Sequence, residues 1–150
     1  MKTVLLLLSV TAIAPCFAAS DISTACRDQR AVVCLIDHAQ ARLDACAAMA
    51  GLKRPDAGSV QGAESPEDRT RRHDCVSQAR DDTEPLYREA LHAVRFQRGI
   101  VADVRDYYAK WNETLTALGS SGDTSSSAVK ERWREEIQRL DKMADQLLRE

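Results

Sequence analysis

Residues 83–118, TEPLYREALHAVRFQRGIVADVRDYYAKWNETLTAL, carry the longest unbroken helical pattern in the chain. Read in sevens, Tyr87, Val94, Val101, Tyr108 and Leu115 fall on one line, and Ala90, Gln97, Val104, Trp111 and Leu118 follow three residues behind. Leu86, Ile100 and Tyr107 widen that stripe. A face this broad is buried by several neighbouring helices and not by a two-stranded seam. The stretch therefore predicts a central helix in an all-α fold, with its partners elsewhere in the chain.

On the C-terminal side, Gly119 and the Ser/Gly/Asp/Thr run that follows it to Ser127 read as a turn that ends the central helix. A last helix is expected over residues 126–148, with Val129, Trp133, Ile137, Leu140, Ala144 and Leu147 on one face. Its other side (Lys130, Arg134, Glu135, Arg139, Asp141, Lys142, Asp145) mixes both signs of charge, the pattern of a solvated face.

On the N-terminal side, Ser65-Pro66-Glu67-Asp68 is a helix start: serine caps, proline takes the first turn, and two acids sit where the helix dipole favours negative charge. That helix runs through Cys75, Val76 and Ala79 to Thr83-Glu84-Pro85. Pro85 lacks an amide donor, so it either kinks the helix or begins the next one, with Thr83 as the cap. A first helix is expected over residues 20–49, with Ile22, Val33, Ile36, Leu43 and Ala47 on its buried side and Gly51 as its stop. Ser20 or Asp21 would cap an early start and Asp28 a later one. Residues 55–64, with Gly58 and Gly62, show no period and read as a connection. No repeat is present. The expected architecture is a small antiparallel bundle with disulfide cross-linking, of three long helices, or four if Pro85 breaks the second.

Residues 1–18 read as a secretory signal: Lys2 is the positive start, Val4 to Val10 are mostly apolar, and Cys16-Phe17-Ala18 is a small-x-small cleavage site. Pro15 interrupts the apolar run, which falls short of the ~20 residues of a membrane span. It also disfavours the alternative, lipoprotein anchoring at Cys16, where a small residue should precede the cysteine. Residues 19–150 then form a single domain, long enough for a modest core. The Ala/Arg/Asp bias points to a high-GC bacterium, and so to the periplasm or the medium. The formal net charge is −2 at pH 7. Without Lys2 it is one unit more negative, which argues against nucleic acid or an anionic membrane as the main partner.

With Cys16 removed, Cys26, Cys34, Cys46 and Cys75 form an even set in an exported chain, as two disulfides require. In a helix over residues 31–49, Cys34 and Cys46 would stand about 18 Å apart at 1.5 Å per residue, too far to bond. Cys46–Cys75 would tie the first helix to the second, and Cys26–Cys34 would close an entry segment, provided the first helix starts late. If it starts at Asp21 instead, Cys34–Cys75 or Cys46–Cys75 alone remains.

No Cys-x-x-Cys, haem-attachment motif, glycine-rich phosphate loop or nucleophile elbow occurs. His73 and Cys75 are too close along a helix to share a metal, and His38 and His92 lie alone on helical stretches. No catalytic, cofactor or metal residue is assigned, and the chain is expected not to be an enzyme. The candidate interaction surface comprises Phe96, which falls off the main apolar stripe, and the basic cluster Arg69, Arg71 and Arg72. These features point to an exported protein-binding module, such as an inhibitor, immunity factor or accessory subunit, with a homodimer as one use of an exposed aromatic. A small-ligand carrier, with a groove lined by Val101, Val104, Tyr108 and Trp111, is the alternative, and a metal protein or enzyme is the third reading.

Overall fold

The computed structural model describes residues 30–52, 65–120 and 127–149. They form four α-helices and no strand: α1 (Ala31–Met49), α2 (Pro66–Ala93), α3 (Arg98–Ser120) and α4 (Ser127–Arg149). Paired residues run in opposite senses along neighbouring helices. Cys46 and Arg42 meet Cys75 and Asp82, Tyr87 meets Tyr108 while Arg80 reaches Asn112, and Lys110 meets Glu136. The result is the expected antiparallel helical bundle. α1 packs against each of the other three helices, whereas α2 and α4 occupy opposite corners.

The stretch of residues 83–118 is not one helix. It is cut at Val94-Arg95-Phe96-Gln97, and its two halves fold back on one another as the end of α2 and most of α3. Pro85, which was expected to mark any break, lies inside α2 on its exposed side. The amide it lacks would have bonded the carbonyl of Asp81, an exposed residue, so water can serve that oxygen. Meanwhile Thr83, Leu86 and Ala90 are buried on the inner side and hold the helix through the proline. The hairpin wins because a continuous rod would leave its wide apolar face uncovered. Folded, Tyr87 stacks on Tyr108 with ring centroids 3.9 Å apart, and Tyr108 lies against Trp111 at 5.6 Å.

The first helix also starts later than residue 20. Arg30 has extended backbone and α1 begins at Ala31, with no side-chain cap. The Ser20, Asp21 and Asp28 caps, Ile22 and the signal segment lie outside the described residues. Two other termini follow their sequence signals closely. Ser65 accepts from the Asp68 amide at 3.1 Å at the head of α2, with Pro66 behind it. At the foot of α1, Gly51 takes φ 71°, the Gly51 amide bonds the Ala48 carbonyl, and the Leu52 amide bonds the Ala47 carbonyl. This is the left-handed glycine termination that satisfies the last carbonyls of a helix.

The core joins Leu35, Ile36, Ala39 and Leu43 of α1 to Val76, Ala79 and Leu86 of α2, Val104, Tyr107, Trp111, Leu115 and Leu118 of α3, and Leu140, Ala144 and Leu147 of α4. Trp111 is fully buried and its indole N–H donates to the Ala39 carbonyl at 2.8 Å, so the largest side chain in the core has its polar atom satisfied. Cys46 and Cys75 form a disulfide with Cα atoms 5.7 Å apart, tying α1 to α2. Cys34 is disulfide-bonded as well, and its partner lies outside the described residues, as does the expected Cys26 end of a Cys26–Cys34 bridge.

Candidate interaction surface

The four expected surface residues do not share a surface. Phe96 sits in the α2–α3 turn and is 84% exposed. Arg69 and Arg71 are exposed near the start of α2, roughly 35 Å away along a helix rising 1.5 Å per residue. Arg71 is engaged there by Asp68 at 3.6 Å and Glu67 at 3.9 Å, contacts within one turn of its own helix. Arg72 is only 2% exposed and belongs to the interior, because position 72 falls on the same side of α2 as Val76, Ala79 and Thr83. It is withdrawn from the surface set. Phe96 remains.

Around Phe96 the sequence understated what the fold assembles. The start of α1, the end of α2, the start of α3 and the end of α4 converge there on a groove of about 290 Å³. Val32, Val33, Val94, Ile100, Leu147 and Leu148 give it apolar walls, and Arg30 and Gln97 stand at its edge. Leu148 is 38% exposed, unusual for a leucine beside a core. Arg95 lies over the Phe96 ring at 4.5 Å and also donates to the His92 carbonyl, so the ring is held outward at the tip of a short turn. The Gln97 amide bonds the Val94 carbonyl at 2.8 Å and the Val101 amide bonds the Gln97 carbonyl at 2.9 Å, which fixes the turn's backbone. The signal for this groove was an excess of apolar residues at the helix ends: the doublets Val32-Val33 and Leu147-Leu148 supply more than a single buried stripe needs.

The residues expected to line a carrier's cavity are arranged differently. Val104 and Trp111 are fully buried in the core, and the Tyr87, Tyr108 and Trp111 rings fill the space between α2 and α3 by stacking. A separate cavity of about 310 Å³ lies between α1, α3 and α4, lined by Gln40, Leu43, Asp44, Tyr107, Ile137, Leu140 and Asp141. Tyr107 is fully buried beside it, and burial, with Asp141 and Asp37 adding repulsion, pushes its phenol well above the usual tyrosine range. That hydroxyl is neutral at any ordinary pH and offers no base.

Elsewhere His38 is half-buried, with its ring near the Arg42 guanidinium, which in turn pairs with Asp82 of α2. Burial first, and then Arg42, lower the His38 pKa, against the opposing pull of Asp82. His73 and His92 are exposed. Among the described residues, no three His, Cys, Asp or Glu side chains converge as a metal site would require, and no helix is long and apolar enough to cross a membrane.

Compared with protein-family models, curated proteins and solved structures, the chain matches none of them.

Proposed function

We propose that the chain is an exported protein-binding module, an inhibitor, immunity factor or accessory subunit that engages its partner through the Phe96 end of the bundle. One observation carries this reading: a large aromatic, 84% exposed, stands on a fixed turn directly beside an apolar groove. Exposed aromatics on rigid supports are the anchors of protein interfaces, because they bury much area while losing little conformational freedom on binding. A concave apolar site beside such an anchor gives a partner something to fill as well as something to cover. The signal-like N-terminus and the disulfides support a site of action outside the cytosol.

The test is site-specific photo-cross-linking of the full chain in its source cells, with the photoreactive phenylalanine at position 96 or, as control, at the exposed Glu135 of α4. The expected result is a discrete adduct from position 96 that is absent from position 135. Excess unlabelled wild-type chain should compete it away, and Phe96→Asp chain should not. Equal adducts at both positions, or none at 96, would overturn the proposal.

A further inference from the structure

Arg30 is the charged residue that lines the groove, and Arg95 and Arg98 are the chain neighbours of its lining residues Val94 and Gln97. Two helix beginnings and two helix ends meet there, so their dipoles oppose one another and the local field is set by side chains. Arg30 precedes α1, Arg95 lies in the turn and Arg98 opens α3, while the first turns of α1 and α3 contain no acid. The last turns of α2 and α4 add His92 and Arg149. Arg149 also faces Asp103 and Asp106 in a shallow depression between α3 and α4, so its charge is shared. Arg30, Arg95 and Arg98 make no ion pair among the described residues. A chain with a formal charge of −2 thus places three arginines, and among the described residues no carboxylate in the adjoining turns, around Phe96 and its groove.

We infer that the groove takes an acidic, apolar segment of a partner protein. On this assignment a leucine- or phenylalanine-type side chain enters between Val33, Val94, Ile100 and Leu148 beside Phe96, and flanking carboxylates meet Arg30, Arg95 and Arg98. The inference rests on the protein-binding reading and adds the chemistry of the partner. Charge complementarity selects it over a second copy of the chain, because a two-fold contact that seats Phe96 in its mate's groove would bring the same arginines of both chains together. It also selects it over a bilayer: a membrane presents a plane, whereas this site is concave and offers one protruding aromatic.

The experiment selects peptides from a displayed library of random dodecapeptides on the full chain, then measures the enriched sequences by fluorescence anisotropy against wild type, Phe96→Ser and Arg98→Glu. Both positions are exposed, and circular dichroism checks that each variant keeps its fold. The expected result is enrichment of Asp and Glu around one or two large apolar residues, with affinity that falls as salt rises and weakens about tenfold or more in Arg98→Glu. Peptides without acids, or binding indifferent to Arg98→Glu, would overturn the acidic partner while an adduct at position 96 would still stand for the binding module. Three further results would overturn it: a concentration-dependent dimer abolished by Phe96→Ser, adsorption to vesicles of anionic phospholipid that requires Phe96, or cross-links from position 96 that land on residues 19–29 of the same chain.

Discussion

At one end of the bundle α1 terminates on a left-handed glycine, α2 begins on a serine cap with two acids behind it, and a disulfide joins the two helices; at the other, α1 begins on an uncapped arginine, and the turn from α2 to α3 holds a phenylalanine out in solvent. Both ends must solve the same problem, since every helix leaves backbone groups unpaired at its termini. The closed end does so with local chemistry, although Met49 is 64% exposed there and a groove of about 300 Å³ lies nearby, lined by Leu52, Ala117, Val129 and Trp133 between Lys110, Arg132, Glu113 and Glu136. The open end gathers apolar side chains and arginines that a purely structural terminus does not need. On the proposed reading, stability and recognition are separated along about 30 Å of helix at 1.5 Å per residue, and substitutions at the two ends should have different consequences.

The largest effect should come from Trp111, midway between them. Trp111→Ala removes a fully buried ring and its hydrogen bond to the Ala39 carbonyl, and should cost about 4 kcal/mol in chemical denaturation. A loss under about 1 kcal/mol would mean that the core does not depend on this clamp. Next comes the closed end. Cys46→Ser with Cys75→Ser opens a bridge spanning 29 residues and should cost roughly 3 kcal/mol by freeing the unfolded chain. If the two ends are as distinct as their chemistry, hydrogen exchange in the double variant should rise most around residues 46–52 and at the head of α2. The start of α1 should change least. Uniform acceleration would erase the distinction.

The closed end was legible in the sequence and the open end was not, for a physical reason. Caps, first-turn prolines and terminal glycines act on their own neighbours, so Ser65-Pro66 and Gly51 could be read without knowing the fold. Helix rise excluded Cys34–Cys46, but the choice between Cys46–Cys75 and Cys34–Cys75 hung on where the first helix starts. The α2–α3 turn left no such mark. Val94 to Gln97 contains no turn-forming residue, only Gly99 stands nearby, and the apolar period passes through the break without a change of phase. What decides the hairpin is the burial gained when Tyr87 meets Tyr108, a contact between residues the period placed on one line of one helix. Pro85 misled in the opposite direction: its local cost, about 3 kcal/mol in a helix interior, is outweighed by the inward packing of Thr83, Leu86 and Ala90. For the groove, the doublets Val32-Val33 and Leu147-Leu148 could be seen in the sequence, but not that the fold would bring them together, since its walls come from all four helices.

A smaller, pH-dependent effect should appear between the ends. His38 has a folded-state pKa below its ordinary 6.5, because burial and Arg42 disfavour its charged form. The unfolded chain therefore takes up a proton first as pH falls, and the contribution from this site is fully present above about 6.5 and is lost progressively below it. His38→Gln, neutral at every pH and still able to accept from Arg42, should flatten the stability profile between pH 7 and 5 relative to wild type. An unchanged profile would show that the His38, Arg42 and Asp82 cluster does not couple α1 to α2 through protonation.

The smallest effect on stability is the most informative about the open end. Phe96→Ser removes an aromatic ring from the protein surface, and the ring contact it loses among the described residues is with Arg95, worth about 0.5 to 1 kcal/mol at an exposed site before the entropy regained by the freed arginine is set against it. Its midpoint in denaturant should lie within about 0.5 kcal/mol of wild type, while its ability to compete for the position-96 adduct and its affinity for acidic peptides should both be lost. A destabilisation of about 2 kcal/mol or more would reverse the argument. It would mean that the ring is buried in the folded chain, that the groove is closed from within, and that the two ends of the bundle are both structural.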